Sequence, residues 1–408
     1  MFFNKFKKNI LIRIHNYKAF KNVDVLLTHQ DADCALKIKD KAYPPHIGAL
    51  IDELKKRNLT YIVINGPSAK IYGDNHYFNA YEFNFSLLLT RTLSFLLDKI
   101  NLSYLGDKIK SLPWRLILKR LQPKVIIGIQ PHPGLCIASR NLNIDVYDYQ
   151  HGVIDKKHWW YGGKCKTLPI NWLPTGYLCW DQNSANALLE LRNYSDSSCT
   201  VIGNLWVNSF KKNENNPLKN EFRTNLNFDK NKKNVLVSLQ WGLEEYYPDS
   251  DFWVMPDTLK NIIKSRVSDT NWFIRLHPKQ VYCDHAEASK TLEYLQKEFG
   301  SLSNVEWSKS TELPLPILLD YIDLHITDMS SVVIEAAMYG IRSAIMNPCC
   351  STGNLTNLYE YESSKGFIDK VGHDKNKIEE FLNKNKIKNI SSSNEENKNL
   401  KDFFKNYE

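Results

Sequence analysis

The stretch ITDMSSVVIEA, residues 326–336, passes from an apolar run through two serines into a second apolar run. This pattern predicts a buried strand that ends in a polar turn and is followed by a helix. Ser330 or Ser331 would cap that helix, and the amide groups at its start would attract a phosphate. Glu335, one turn into the helix, would reach a ribose hydroxyl. The alternative interpretation is an ordinary helix start with Glu335 in solvent.

Other predicted strands in the same half of the chain also end at polar residues. They cover residues 234–239, 272–276, 324–327 and 343–346. Gln240 and Gly242 follow the first strand, and His277-Pro278-Lys279 follows the second. Pro278 would stiffen the turn so that the His277 imidazole contacts a phosphate or a base. Arg275 and Lys279 would add positive charge. We predict a nucleotide pocket from these residues, although a histidine that only caps a turn would give the same local pattern.

The first half of the chain shows a similar alternation of strands and helices. Strands are predicted over residues 23–28, 61–64, 124–128 and 144–149, and a helix over 47–57. Such alternation is typical of a parallel, doubly wound sheet, whose ligands bind beyond the carboxyl ends of the strands. A chain of 408 residues exceeds one ordinary core. We therefore predict an α/β protein with two Rossmann-like domains, 1–210 and 211–375, and a helical tail over 376–408.

Candidate catalytic residues follow two strands of the first half. Gln150-His151-Gly152 begins where one strand ends, and Gly152 would allow a ligand to approach closely. An imidazole titrates near neutrality and therefore suits a general base that deprotonates a hydroxyl. Asp31 and Asp33, after the first strand, are the rival pair, as a base or as ligands for acceptor hydroxyls. We predict His151 as the base and keep the aspartates as the alternative.

Further residues of the first half would contact an acceptor. His132 lies in the turn Pro131-His132-Pro133, and Trp159 and Trp160 follow His151 in an aromatic cluster. Indole rings stack on sugar rings. We place His132, Gln150, Gly152, Trp159 and Trp160 in the predicted acceptor site. A turn built on prolines and a loop packed on the core explain His132 and the tryptophans equally well.

Composition limits the partners of the chain. The formal net charge is +8, which suits nucleotide phosphates or an anionic lipid surface, and no nucleic-acid-binding module is visible. No apolar run approaches the roughly 20 residues of a membrane span. The N-terminus lacks the apolar region and cleavage site of a signal peptide. We expect a cytoplasmic protein, with peripheral association at the inner membrane as a further expectation.

The sequence predicts neither a metal nor a cofactor. Its eight cysteines form no CxxC pair and show no zinc spacing with histidine. Asp31-Ala32-Asp33 has the spacing of the Asp-x-Asp metal motif, but it follows the first strand of a Rossmann-like half. We therefore predict that the reaction is independent of a metal ion.

Taken together, Gln150-His151-Gly152, His277-Pro278 and Ser330-Ser331 with Glu335 resemble a known set of motifs. They are similar to those of capsule and O-antigen glycosyltransferases of the GT-B class, which include Kdo-transferring capsule proteins and bacterial sialyl- and polysialyltransferases. The related teichoic-acid glycerophosphotransferases are similar as well. The segment from Thr28 to Leu54 resembles the start of uncharacterised O-antigen cluster proteins.

This resemblance implies a fold and an activity. The fold would be GT-B, with the parallel sheets of two Rossmann-like domains facing a central cleft. His277, Pro278, Ser330 and Ser331 would bind the CMP part of a donor, and His151 would be the base. The reaction would be an inverting, metal-independent transfer of a sugar, with Kdo or another CMP-activated ulosonic acid favoured. The acceptor would be a lipid-linked glycan intermediate of a surface polysaccharide.

Three alternatives remain open. A polymerase similar to CDP-glycerol glycerophosphotransferases would use the same motifs. A UDP-sugar 2-epimerase would share the two-domain fold. A glycan-binding or assembly protein without catalytic activity is the third alternative.

Overall fold

The computed structural model describes most of the chain. The described residues are 21–29, 31–34, 36–65, 77–78, 80–82, 84–154, 159–192, 199–211, 216–222, 228–242, 254–282, 285–353, 355–356, 358–387 and 394–408. They form two compact units, and the chain passes from the first unit to the second between Trp206 and Val207. The helix Asn394–Lys405 belongs to the first unit.

The first unit is built on a parallel sheet whose strands, in the described residues, run in the order β5-β4-β1-β6-β7-β8-β9. These strands are β1 Val25–His29, β4 Tyr61–Asn65, β5 Ala80–Glu82, β6 Val125–Gly128, β7 Asp145–Tyr149, β8 Gly176–Cys179 and β9 Cys199–Val201. A small antiparallel pair, β2 Leu36–Ile38 and β3 Lys41–Tyr43, follows β1. β1 and β6 are buried along their whole length, as expected for strands covered by helices on both faces.

The strand order of the first unit reverses between β1 and β6. β1 pairs with β4 on one side and with β6 on the other, so later strands are added in opposite directions. Such a reversal opens a crevice at the carboxyl ends of the two central strands. Residues that follow β1 and β6 are therefore placed at a binding edge.

Helices cover both faces of this sheet. They are Pro45–Lys56, Asn84–Lys99, Ser103–Leu121, Pro133–Arg140, Cys165–Thr167, Gln182–Arg192 and Asn394–Lys405. The helix Leu205–Lys211 begins in the first unit and ends in the second. Trp114 and Ile117 of the third helix pack with Leu26 and Ile126 of the sheet. In the last helix Phe404 is fully buried, and the Arg57 guanidinium lies 5.2 Å from its ring.

The second unit has a parallel sheet whose strands, in the described residues, run in the order β12-β11-β10-β13-β14-β15. These strands are β10 Lys233–Ser238, β11 Thr270–Arg275, β12 Val305–Glu306, β13 Leu324–Thr327, β14 Arg342–Ile345 and β15 Ile368–Lys370. The order reverses between β10 and β13. The crevice of this sheet is thus expected beyond Ser238 and Thr327.

Helices again surround the sheet of the second unit. They are Pro217–Glu221, Asp257–Ser265, Pro278–Tyr282, His285–Phe299, Ser308–Glu312, Leu315–Leu319, Val332–Met338, Glu360–Ser364 and Lys375–Leu382. Inside the sheet, His325 is fully buried and joins three strands: its Nδ1 lies 2.9 Å from Ser343 Oγ and its Nε2 3.0 Å from Ser238 Oγ. Burial lowers the pKa of His325 to about 3, so this imidazole is neutral.

The C-terminal segment, residues 376–408, does not form a single tail. Ile378, Phe381 and Leu382 pack in the core of the second unit, whereas the helix Asn394–Lys405 belongs to the first. The described part of this segment is therefore divided between the two units. Among the residues that the structure describes, no helix combines the length and apolarity that a membrane span requires.

Candidate functional sites at the two sheet edges

The carboxyl edge of the second sheet brings together three of the predicted turns. β10 lies between β11 and β13, with Ser238 paired to Arg275 on one side and to Thr327 on the other. Adjacent strands are about 4.8 Å apart, so the ends of β11 and β13 are separated by about 10 Å. The turns after these strands, with His277 and Ser330, thus flank the turn that follows β10. This edge is the candidate nucleotide site.

His277 is held as a neutral hydrogen-bond donor. Its Nδ1 accepts a hydrogen bond from the Lys279 amide at 3.2 Å, and its own amide donates to Gln280 Oε1 at 2.9 Å. An Nδ1 that accepts leaves the ring proton on Nε2. Burial, with the Lys279 charge beside it, lowers the pKa of His277 to about 4. His277 therefore caps the helix Pro278–Tyr282, which was the alternative interpretation of the sequence pattern. Its Nε2–H can still donate to an oxygen of a phosphate or of a nucleotide base.

The turn after β10 contacts the helix that His277 begins. Lys279 Nζ lies 3.6 Å from the centre of the Trp241 ring, and Gln280 Nε2 donates to the Gln240 carbonyl at 3.3 Å. Gly242 has φ +78, and the position of a Cβ there is open. An ammonium over an indole face is a cation–π contact that limits where the charge can lie. Gln240, Lys279 and Gly242 are thus parts of one edge.

Glu335 is buried, which excludes the interpretation of a solvent-facing side chain. Only 9% of its surface is exposed. Burial raises the pKa of Glu335 to about 7, and the positive charge of Arg275 opposes this shift. Arg275 itself donates through Nη1 to the carbonyl of Ser310, and to that of Leu313 at 2.8 Å. Arg275 and Glu335 therefore interact, and their contacts with a donor stay predictions.

The two serines have different roles at the start of the short helix Val332–Met338. Ser330 Oγ accepts from the Val332 amide at 3.3 Å, and the Ser330 carbonyl accepts from Tyr359 Oη at 2.9 Å. Ser331 is the first residue before the helix and makes no side-chain capping bond. Ser330 is thus the residue that contacts the helix start, and Tyr359 fixes the turn.

In the first unit, Asp148 near the end of β7 and Asp33 after β1 lie at the carboxyl edge of the sheet. Asp148 Oδ1 accepts from the Gln130 amide at 2.9 Å, and Oδ2 accepts from Tyr161 Oη at 3.2 Å. Burial raises the pKa of Asp148 to about 7, and the Asp33 carboxylate contributes to the rise. Asp33 is half-buried in the turn that follows β1. The side chain of Asp31, the other predicted candidate, lies outside what the structure describes.

His151 lies beside a second histidine that the sequence did not single out. His46 is in the first turn of the helix Pro45–Lys56, 5.5 Å from the Trp180 ring and 6.0 Å from the Tyr149 ring. Burial, with the nearby His151, lowers the pKa of His46 to about 3. His46 is therefore a neutral neighbour of the predicted base. Pro44 and Pro45, directly before His46, indicate a helix start, so the sequence could place His46 in the first turn of a helix.

Gln150 fixes the backbone on which His151 is carried. Its Oε1 accepts from the Trp180 amide at 2.7 Å, and its Nε2 donates to the Gly152 carbonyl at 2.9 Å and to Ser184 Oγ at 3.0 Å. Gln150 is fully buried, so its amide is used within the protein. Beside Gly152 there is open space, since a Cβ there would meet no atom within 4 Å. The chain at Gly152 can therefore be approached closely.

His132 and Trp160 lie on the same side of the first sheet. His132 Nδ1 accepts from the Gly134 amide at 3.1 Å and caps the helix Pro133–Arg140, and burial lowers its pKa to about 4. Trp160 lines a small cavity together with Gln130 and Asp148. The side chain of Trp159 lies outside what the structure describes.

Comparison with solved structures identifies the architecture. The UDP-GlcNAc 2-epimerase of Neisseria meningitidis, solved bound to UDP-GlcNAc, matches with a TM-score of 0.60 at 14% identity, covering 94% of this chain and 98% of that one. The UDP-GlcNAc 2-epimerase of Methanocaldococcus jannaschii has a TM-score of 0.55 at 15% identity, with 93% and 99% covered. The wall teichoic acid polymerase TagF has a TM-score of 0.52 at 11% identity, with 96% and 85% covered.

The fold is of the GT-B type. Two Rossmann-like units with parallel sheets, as the sequence predicted, are confirmed by these likenesses. No family model and no curated protein matches the sequence. In the part of the chain that the structure describes, no group of three or more His, Cys, Asp or Glu side chains could hold a metal ion. Metal independence stays a prediction.

Proposed function

We propose that this protein is a nucleotide-sugar-dependent glycosyltransferase. The observation that supports it is the edge of the second sheet, where a neutral imidazole, an ammonium group and a helix start surround one strand end. His277 provides the imidazole and Lys279 the ammonium group, held over Trp241. The turn at the helix start provides the hydroxyls of Ser330 and Ser331, because the amides of Val332, Val333 and Ile334 already donate to these two serines. Each of these groups stabilises a phosphate oxygen.

In this proposal the donor is bound by the second unit. Lys279 and the Nε2–H of His277 contact the phosphates and stabilise the departing nucleotide without a metal. Glu335 accepts from a ribose hydroxyl, with Arg275 beside it. The sequence resemblance favours a CMP-sugar, such as CMP-Kdo. The solved structures with this fold include an epimerase bound to UDP-GlcNAc, which favours UDP.

The acceptor hydroxyl is deprotonated by His151 in the first unit. An imidazole is a suitable base when it takes the proton as the bond to the anomeric carbon forms. Gln150, next to His151, ties this turn to the Trp180 amide after β8 and to the Gly152 carbonyl. The open space at Gly152 admits the acceptor, with His132, Trp160 and Trp159 as further contacts. The acceptor is a lipid-linked glycan, and the protein acts in the cytoplasm at the inner membrane.

Two other activities are supported by the comparisons. The highest TM-score cited above belongs to a UDP-GlcNAc 2-epimerase, which would act on its nucleotide sugar with no acceptor. The likeness to the polymerase TagF supports transfer of glycerol phosphate from CDP-glycerol. Each rival uses an activated nucleotide donor, so donor binding alone does not separate them.

Nucleotide binding is tested by thermal unfolding of the full chain with CMP, CDP, UDP, GDP and dTDP. One of them is expected to raise the melting temperature, because a ligand at about 100 times its Kd stabilises the folded state by roughly 2.7 kcal/mol. His277→Ala and Lys279→Ala should reduce this shift, whereas Lys309→Ala, at an exposed lysine of the same unit, should not. If no nucleotide shifts the melting temperature, the proposal is wrong.

Turnover then separates the three activities. A transferase consumes its nucleotide sugar rapidly only with an acceptor glycan, and His151→Ala should slow this transfer by roughly 100- to 10,000-fold without weakening nucleotide binding. Inversion at C2 of UDP-GlcNAc in the absence of acceptor would instead establish an epimerase. Incorporation of glycerol phosphate from CDP-glycerol would establish a polymerase. Loss of transfer after chelation of metals, or a product with retained configuration, would contradict the proposed mechanism.

A further inference from the structure

The outward faces of two consecutive helices, Asn84–Lys99 and Ser103–Leu121, are apolar, and we call this surface the hairpin face. Leu89, Leu93 and Leu96 of the first helix, and Ile100 directly after its end, follow one another at intervals of four, three and four residues. Their exposed fractions are 48%, 42%, 52% and 63%. Such spacing places side chains on one side of a helix. The side that ordinarily carries polar residues here carries a stripe of leucines and an isoleucine.

The second helix shows the same arrangement. Leu105, Leu112 and Leu116 are spaced to share one side, and each is about half exposed. The opposite side of this helix packs on the sheet, where Trp114 and Ile117 are buried. The exposed leucines are thus not needed to hold the helix on its unit.

An apolar surface of this extent is unfavourable in water unless something covers it. Single exposed leucines are common, but contiguous apolar patches on proteins mark sites of contact with another protein or with a membrane. Most of the exposed large apolar side chains among the described residues lie on these two helices or in the turn between them. The charges around the hairpin face indicate which partner covers it.

Exposed charges on the hairpin face are positive. Lys99, Lys108, Lys119 and Arg120 are exposed on it or at its margin. The acidic residues of these helices are half-buried: Asp107 accepts from Trp172 Nε1 at 3.0 Å and pairs with Lys110, and Asp98 lies against Gly106. The hairpin face therefore presents cations and leucines together.

Two of the lysines lie against aromatic rings of the same face. Lys99 Nζ is 4.9 Å from the centre of the Phe95 ring, and Lys108 Nζ is 4.4 Å from that of Tyr104. Phe95 and Tyr104 are themselves exposed. At the boundary between lipid headgroups and acyl chains, lysines typically lay their methylene groups along apolar surface and point their ammonium groups outward. Aromatic side chains are common beside them at this boundary.

We propose that the hairpin face docks on an anionic lipid surface, with its leucines at the acyl boundary and its cations at the headgroups. A second copy of this chain fits less well, because a two-fold contact would bring like charges together. Neither helix is a candidate membrane span, so the contact lies in the plane of the interface. The proposal does not depend on which nucleotide, if any, the protein binds.

Sedimentation of the full-length protein with vesicles tests this docking. Binding is expected to vesicles of phosphatidylcholine with phosphatidylglycerol, and much less to phosphatidylcholine alone. The double variant Lys119→Glu/Arg120→Glu should weaken binding by about 25-fold or more, since each basic residue near an anionic surface contributes roughly fivefold. The control Lys297→Glu, at an exposed lysine of the other unit, should bind like the parent.

The apolar part is tested by Leu96→Gln, with Leu292→Gln as the matched control at a leucine that is 46% exposed in the other unit. Leu96→Gln should weaken binding several-fold, and both variants should melt like the parent because the side chains are exposed. Leu89→Gln serves in its place if Leu96→Gln is unstable. The proposal is overturned if the protein does not bind anionic vesicles, or if hairpin and control variants bind alike. It is also overturned if these leucine substitutions instead disperse a dimer seen by light scattering.

Discussion

Replacing Glu335 with glutamine tests the electrostatics of the candidate donor site. The carboxyl is buried beneath the helix start that follows β13, and burial raises its pKa from 4.5 to about 7. In the unfolded chain the same carboxyl ionises near its ordinary value. The folded state therefore holds a proton that the unfolded state has already lost between pH 4.5 and pH 7.

The sign of the effect follows from this difference in bound protons. Where the folded state binds more protons, stability falls as the pH rises. The two pKa values imply that Glu335 lowers stability by about 1 kcal/mol at pH 5 and by about 3 kcal/mol at pH 8. Glutamine has no charge to bury, so Glu335→Gln should gain stability relative to the parent as the pH increases.

The assay compares melting temperatures of variant and parent at pH 5 and at pH 8. For a unit of this size 1 kcal/mol corresponds to roughly 2–4 °C, so the difference between the two proteins should change by about 4–8 °C in favour of Glu335→Gln. Glu360→Gln, at an exposed carboxyl of the same unit, is the control and should show no such change. A variant that differs from the parent by the same amount at both pH values would refute the reasoning.

Three further predictions concern local structure. His132→Ala should lower the stability of the first unit by about 1 kcal/mol, measured by denaturant unfolding, because the helix at Pro133 loses its cap; His132→Asn should restore most of it. Gly134→Ala should be strongly destabilising, since its Cβ would lie 2.4 Å from the Lys110 carbonyl, whereas Gly152→Ala should leave stability unchanged and affect only turnover with acceptor. His325→Gln should lower the pH midpoint of acid unfolding. Between pH 6.5 and about 3 the imidazole is protonated in the unfolded chain but stays neutral in the folded protein, so the parent loses stability as the pH falls through this range.

The central strands could be predicted from the sequence because they are almost continuously apolar. β1, β6 and β13 are buried along their whole length, and this is how parallel strands covered on both faces appear in a sequence. The edge strands β9 and β15 have three residues each, half-buried, and contain no periodicity to detect. Their position depends on pairing with a neighbour, which a single sequence does not show.

The candidate sites were predictable in part. Strand ends and turn residues could be identified, so the His277 and Ser330 turns were expected at one edge. The burial of Glu335 is indicated by its neighbours in sequence, because the helix Val332–Met338 is otherwise apolar on all sides, as a buried helix is. His46 could not have been predicted as a neighbour of His151, because Trp180 and Tyr149, which enclose it, are distant in sequence.

Three other histidines at the sheet edges are poor candidates for the base that takes the acceptor proton. His46, His132 and His277 have pKa values lowered by burial to about 3, 4 and 4, so each is a weak base at neutral pH. In His132 and His277 the Nδ1 also accepts an amide hydrogen bond, which leaves a ring N–H that can only donate. These neutral imidazoles can form hydrogen bonds with oxygen atoms, but they are poorly suited to take a proton from a hydroxyl. Of His46, His132, His277 and His151, this reasoning leaves His151 as the candidate base. The acidic limb of the pH–rate profile should then disappear from the residual activity of His151→Ala but persist in His132→Asn.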